Sequence, residues 1–285
     1  MWDTVTTLSD HVADYFSVTY GASGSTAERS QALVARIIAE TRVPVIAHLT
    51  CVGRTDPQLR EVVGEFLDAG VRNFLALRGD PPAGETDWAP GPDEVARACD
   101  LVTLIREVEA ERFGTRGLDP LSRLADHRSR RAAVSIAVAA YPGMPEPGAG
   151  FRVRDDELAA LRAKQDAGAD FAITQLFFDA AAYRELLRAA VAAGITIPLV
   201  PGILPLTDPS RIRRLCDLNA IPHPRELLAR LEDAPEPDRA RVGLEATSSL
   251  IREVLHAGAP GLHLYTFNRS DGVTALLEDV LRQTV

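Results

Sequence analysis

Seven short apolar runs recur along the chain and restrict its fold more than any other feature. They are "YFSVTYG" (15–21), "VPVIAHLTC" (43–51), "NFLALRGD" (73–80), "AAVSIAVAAYP" (132–142), "FAITQLFF" (171–178), "IPLVPGIL" (197–204) and "GLHLYTFN" (261–268). Continuous runs of this length, with several β-branched or aromatic residues, suit strands buried on both faces of a parallel sheet. Amphipathic segments with helix signals separate them. Ser25 and Glu28 in "STAE" and Thr55 and Gln58 in "TDPQ" have capping-box spacing, with Pro57 suited to a first turn. "DELAALRAKQDAGAD" and "AAYRELLRAAVAAGI" end at glycines that can close a helix.

Repeated βα units give either an open doubly wound sheet or a closed (β/α)8 barrel of TIM type. No GxGxxG follows an early run, so the dinucleotide fingerprint of the open fold is absent. Polar residues stand instead at the C-terminal ends of many runs: Thr19 and Tyr20, His48 and Thr50, Arg78 and Asp80, Tyr141, Gln175, and Tyr265, Asn268 and Arg269. That rim carries the active site in barrels, so the expectation is α/β, a single (β/α)8 barrel domain over residues 1–285. Residues 1–13 read as a helix with Trp2, Val5, Leu8 and Val12 on one face. Strand 1 of the barrel is then expected upstream of Met1, leaving the domain N-terminally incomplete.

Two segments interrupt the alternation. Residues 110–131 exceed an ordinary αβ connection and read as a solvated insertion before strand 5, on the face away from the chemistry. Residues 219–243 read as an extra short helix and a turn before a longer helix.

Composition excludes several classes of function. The net charge is −9 without a basic block, which argues against nucleic-acid partners and anionic membrane surfaces. No apolar run approaches a membrane span, and the N-terminus lacks signal-peptide character. Cys51, Cys99 and Cys216 show no metal-ligand spacing, so no metal site is expected. Together these features predict a soluble, cytoplasmic protein.

The run "FLALRGDPP" sets Arg78, Gly79 and Asp80 at a strand end, with Pro81 and Pro82 forcing an extended exit. A glycine there lets a ligand approach the backbone. The carboxylate suits hydrogen bonds from a heterocycle or a developing cation; the alternative is an Arg–Asp pair that only shapes the loop. Taken with "VTYGASGS", "AHLTCVG", "TQLFFD", "VPGILPLTD" and "HLYTFNRS" in this order, the run resembles 5,10-methylenetetrahydrofolate reductase of the bacterial, catalytic-barrel type, from about Trp2 to the C-terminus.

The resemblance implies a barrel holding FAD at its rim. NADH or NADPH reduces the flavin and leaves, and methylenetetrahydrofolate is then reduced to 5-methyltetrahydrofolate, a step of one-carbon metabolism and methionine biosynthesis. It implies Thr19, His48, Arg78, Gly79, Asp80, Tyr141 and Lys164 as FAD-binding residues. It also implies Asp80 and Gln175 as catalytic residues beside the pterin, with Gln175 and Arg269 binding the substrate. Lys164, the only lysine among 31 basic residues, stands where the family sets a lysine against the FAD phosphates. Each residue also has a plain structural reading: His48 as a satisfied core histidine, Thr19 as a loop cap, Tyr141 before Pro142 as packing, Lys164 as part of a solvated helix face, Arg269 as a partner of Asp271. Gln175 is the hardest to read that way, because a long amide at the end of an apolar strand needs partners. Cys51 reads as a small core residue.

The chain departs from the family pattern in several places. No "FEFFPP"-like strand with its proton-donating glutamate opens it, and a start site placed too far downstream is the simplest explanation. "YPGMPEPGAGF" replaces a histidine-bearing loop. Ala160 and Ala163 stand for the asparagine and arginine near FAD, Arg211 for a folate-contacting glutamine and Leu215 for a gating aromatic. The grip on FAD is therefore expected to be weaker than the family's. Two alternatives stay open: a flavin-independent version of the same reduction, and a non-catalytic folate-binding barrel or subunit of a complex. The choice between NADH and NADPH and the state of homo-oligomerisation also stay open.

Overall fold

The computed structural model describes residues 1–9, 13–19, 24–80, 89–114, 134–148 and 150–283, without the side chains of 24–28, 271 and 279–283. Tyr20, Pro81, Pro82 and residues 115–131 of the expected insertion lie outside the described residues. The chain divides into two compact units. The first comprises Ala13–Ala139 and Ala163–Phe171, the second Met1–Val12, Ala140–Arg162 and Ala172–Val285.

In the first unit four strands, β1 (Phe16–Val18), β2 (Val45–Thr50), β3 (Asn73–Leu77) and β4 (Ser135–Ala140), pair in chain order, all parallel. The pairing aligns Ser17 with Ile46, His48 with Leu75 and Leu75 with Ala137. Helices α2 (Gly24–Glu40), α3 (Asp56–Asp68) and α4 (Ala98–Phe113) follow the first three strands. Ile46, Ala47, Phe74, Leu75, Ala76, Ile136, Ala137 and Val138 are buried consecutively rather than alternately, the pattern of a parallel sheet covered on both faces. Leu59, Val63 and Phe66 of α3 and Leu101 and Ile105 of α4 belong to this core, with Phe66 edge-on to Phe74 at 6.1 Å. At the start of α3 the Gln58 Oε1 accepts from the Thr55 amide at 2.9 Å, one half of the expected capping box. Helix α2 begins at Gly24, which puts Ser25 inside its first turn rather than before it.

Arg106 of α4 fastens the beginning of β4. Its guanidinium donates to Glu109 (2.7 Å), Asp170 (2.6 Å) and the carbonyls of Val134 (2.8 Å) and Gly168 (2.8 Å). The two carboxylates in turn accept from the Val134 and Ile136 amides, each at 2.7 Å. Glu109 is buried, so its charge is matched where water cannot reach it.

In the second unit, α1 (Trp2–Ser9) forms within the helix expected for residues 1–13 and buries Val5 and Leu8. Between β4 and α5 (Asp155–Asp166) stands an unexpected antiparallel hairpin, β5 (Met144–Glu146) and β6 (Gly150–Arg152). Strand β7 (Phe171–Thr174) pairs parallel with β8 (Leu199–Val200), and β9 (Gly202–Ile203) pairs parallel with β10 (His263–Leu264). Helix α6 (Ala180–Ala192) connects β7 to β8. The 219–243 segment holds the short helix α8 (Arg225–Asp233) between α7 (Pro209–Leu218) and the long α9 (Glu236–His256), as expected; α10 (Asp271–Gln283) closes the chain. Gly168 and Gly194 follow α5 and α6 with φ of 106° and 71°. Leu206, Ile212, Cys216, Leu228 and Leu231 form one core cluster.

All seven apolar runs contain strands, and parallel strands each followed by helices make the chain an α/β protein of the TIM-barrel type. Among the described residues no helix is long and apolar enough to cross a membrane.

Candidate active site

In the first unit the C-terminal ends of β1, β2 and β3 stand side by side. Ser17 and His48, on neighbouring strands, are hydrogen-bonded through Ser17 Oγ and His48 Nε2. Thr19 is exposed, and its carbonyl accepts from Ser30 Oγ at 2.9 Å. The β2–β3 ladder runs on past the strands, with Cys51 N donating to Leu77 O (3.1 Å) and Val52 N to Arg78 O (2.9 Å). This continuation carries Arg78 and Asp80 to the rim, where both are exposed. No ion pair joins the two among the described residues, and Arg78 Nε donates to the Gly79 carbonyl at 3.4 Å.

Gly79 has a different explanation from the one its sequence context suggests. Its φ is +88°, a region an L side chain rarely adopts, and an added Cβ would lie 2.6 Å from Val52 Cγ1 and 3.1 Å from Thr50 Cβ. The glycine is demanded by packing within the rim itself. Beside it, Thr50 Oγ1 is buried with no hydrogen-bond partner among the described residues, an orphaned polar atom of the sort found near binding sites. Cys51 is fully buried and its thiol is pushed up to about 11, mainly by burial, so it is no nucleophile. Lys164 lies in the last turn of α5, half-buried, and its Nζ donates to the Ala139 carbonyl at 2.9 Å. One of its three donors is therefore committed to the end of β4.

In the second unit, Gln175 follows β7 directly. Its Oε1 accepts from the Leu176 amide (2.9 Å) and its Nε2 donates to Asn219 Oδ1 (3.0 Å), while Asn219 Nδ2 donates to Leu215 O (2.8 Å). The amide finds the partners its position demanded and is oriented by them. A primary amide has two donors and two lone pairs, so each end keeps capacity for a ligand. Asn219 was not legible as a site residue; it lies in an ordinary-looking "LNAIP" segment 44 residues away. Tyr141, just past β4, is exposed, as is Arg269 after β10. The side chain of Asp271, the alternative partner for Arg269, is outside the described residues. Arg211 lies over the Phe267 ring, 4.8 Å from its centroid.

A buried set holds this second rim in place. Thr174 Oγ1 accepts from Gly202 N at 2.9 Å, and Thr174 O accepts from Tyr265 OH at 2.9 Å. His263 packs edge-on to Tyr265 at 4.9 Å, and burial lowers its pKa to about 4. Of the residues singled out from sequence, Thr19, His48, Arg78, Gly79, Asp80 and Lys164 thus belong to the first unit, and Tyr141, Gln175 and Arg269 to the second.

A TIM-type α/β fold with polar side chains gathered at strand C-termini is the build of an enzyme whose rim does the chemistry. The methylenetetrahydrofolate reductase family model matches residues 1–280. The chain is 31% identical to 5,10-methylenetetrahydrofolate reductase of Escherichia coli K12 over 275 residues, covering 95% of this chain and 81% of that protein. It is 30% identical over 275 residues to methylenetetrahydrofolate reductase (NADH) 1 of Zea mays, covering 94% of this chain and 43% of that one. Among solved structures it resembles in fold a Clostridium thermocellum protein that binds two copies of 5-methyl-5,6,7,8-tetrahydrofolic acid. That match has a TM-score of 0.54 and 12% identity, over 98% of this chain and 99% of that one. The chain belongs to the methylenetetrahydrofolate reductase family.

Proposed function

We propose that the protein reduces 5,10-methylenetetrahydrofolate to 5-methyltetrahydrofolate, with NADH or NADPH as the electron source and FAD as the bound carrier. The observation that carries this reading is the family match over residues 1–280. The balance is one hydride and one proton added to the substrate for each nicotinamide oxidised: the hydride goes to the one-carbon unit, the proton to the nitrogen released when the imidazolidine ring opens.

The rim of the first unit suits a flavin nucleotide in its donors. It has the orphaned hydroxyl of Thr50, the exposed guanidinium of Arg78, the exposed Thr19 and the ammonium of Lys164. Thr19, His48, Arg78, Gly79, Asp80 and Lys164 are assigned to FAD there, and Tyr141 is assigned to the same cofactor from the family resemblance. When bound, FAD supplies the redox centre that accepts hydride from nicotinamide and passes it to the substrate.

The protein's own groups do the rest. Asp80 stabilises the iminium cation that forms on ring opening, because a carboxylate is the charge complementary to it. Gln175, oriented by Asn219 and the Leu176 amide, offers one N–H and one lone pair to the amide-like edge of the pterin. Arg269 takes a carboxylate of the glutamate tail.

One observation favours a second reading, direct transfer from nicotinamide to folate without flavin. Helix α5 carries alanines at 160 and 163, and Lys164 spends a donor on Ala139 O, so this helix offers few groups to a diphosphate. The experiment is to purify the protein, record its visible spectrum before and after FAD addition, and follow NADH and NADPH oxidation. Methylenetetrahydrofolate-dependent oxidation with bound flavin supports the first reading, and the same activity in colourless protein supports the second. Folate binding without oxidation of either nucleotide overturns both and leaves a binding protein.

A further inference from the structure

The edge of the first unit opposite the rim carries a cleft that the chemistry at the strand C-termini leaves unused. Residues 41–44 lead from α2 into β2, and residues 69–72 lead from α3 into β3. Between these two loops lies a cavity of about 310 Å³, enough for a small metabolite. Strand β2 has six residues, so the cavity stands roughly 16 Å along it from Thr50 and the rim. Ile38, Val43 and Val71 give it an aliphatic wall. Two of its polar side chains are tied to the backbone. Thr41 Oγ1 donates to Ile37 O (2.8 Å) and accepts from Val43 N (3.2 Å), and Asn73 Nδ2 donates to Val45 O (3.2 Å).

The other two polar side chains of the lining are Arg42 and Arg72. The acids at the ends of the two helices are already taken: Glu40 pairs with Arg36 at 2.8 Å, and Asp68 pairs with Arg112. No carboxylate among the described residues pairs with Arg42 or Arg72. Arg72 is held in place by other means. Its Nη1 donates to the carbonyls of Leu67 (2.8 Å) and Val71 (2.7 Å), and its guanidinium lies 5.1 Å from the Phe113 ring centroid. That leaves Nε and Nη2 as donors. The C-termini of α2 and α3 each bring about half a negative charge. Against two full positive charges they leave about one uncompensated, in a chain whose net charge is −9.

We infer that this cleft is a second binding site, which takes a small organic oxyanion between Arg42 and Arg72. The open donors of the lining are cationic, so the ligand supplies acceptors and negative charge. A guanidinium fork fits a phosphate or a carboxylate alike, and the aliphatic wall receives the compact body that carries it. The inference does not rest on the folate reading, since the cleft lies at the other end of the strands from the rim.

The test is isothermal titration calorimetry of the full chain with inorganic phosphate, with succinate and with glycerol as the neutral control, at low salt. The unchanged protein binds at least one of the anions saturably, with Kd of about 1 mM or below, and does not bind glycerol. Which anion binds tells phosphate from carboxylate chemistry. Arg42→Gln weakens that binding about tenfold, as loss of one charge-assisted pair does. Arg42 is exposed and makes no internal bond among the described residues, so this variant keeps its fold even where Arg72→Gln, which releases two carbonyls, does not. The rim also carries arginines, and Arg78→Gln/Arg269→Gln, titrated alongside, retains the affinity. No saturable binding of either anion overturns the inference. So does affinity that is unchanged in Arg42→Gln, or that is lost only in Arg78→Gln/Arg269→Gln. Each of these outcomes leaves the folate reading intact.

Discussion

His263 makes acid stability a sharp test of how the second rim is built. The residue lies on β10, aligned with Gly202 of β9, and is 6% exposed. Burial lowers its pKa from 6.5 to about 4, because a charged imidazolium loses hydration there. The unfolded chain, with an ordinary histidine, binds the proton more readily than the fold does. Falling pH therefore favours unfolding: the contribution is fully present above about pH 7 and is lost as pH drops through 6.5 toward 4. With those two values the loss is about 2 kcal/mol at pH 5 and saturates near ~3 kcal/mol below pH 4. Carboxylates titrate in the same range, so the measurement is a difference. Urea unfolding of the unchanged protein and of His263→Gln, followed by far-ultraviolet circular dichroism at pH 7.5 and pH 5, isolates the histidine. The variant is the less stable of the two at pH 7.5, because it disturbs the packing on Tyr265, but it loses about 2 kcal/mol less than the unchanged protein between the two pH values. Parallel losses would falsify the claim that this imidazole is neutral and dry in the fold.

Two further perturbations probe the first unit. Arg106→Met strands the buried Glu109 and should cost about 3–5 kcal/mol in chemical denaturation; Arg106→Met/Glu109→Gln recovers part of this, and no recovery would mean that the charge of Glu109 is not the cause. Gly79→Ala forces a Cβ against Val52 and should cost about 1–3 kcal/mol. Adding Val52→Ala relieves the clash but not the backbone strain, so partial rescue in thermal melts is expected, and a double variant no better than the single would place the whole cost in φ.

What the sequence made legible and what it hid divide along a physical line. Strand positions were readable because burial on both faces leaves a continuous apolar run, and all seven such runs contain strands. The hairpin of β5 and β6 escaped because it obeys no such rule. Met144, Pro145, Glu146, Gly150 and Arg152 are exposed, so no apolar pattern marks them, and two prolines and three glycines in "GMPEPGAG" read as loop. Glu109 escaped for the opposite reason. An acid on an amphipathic helix is expected to face water, and only partners 3, 25 and 61 residues distant (Arg106, Val134 and, through Arg106, Asp170) make its burial tolerable. The same distinction runs through the candidate site. Gln175 announced itself, since an amide at the end of an apolar strand must find partners, but Asn219, which orients it, became visible only once the chain had folded. Gly79 shows how a rim position can have a reason that its own sequence context hides: its place at a strand end was evident, while Thr50 of the neighbouring strand and Val52 just past that strand forbid a Cβ there. Single positions in a β/α chain thus declare where chemistry can sit, and the side chains that fix their orientation come from elements that local sequence does not reveal.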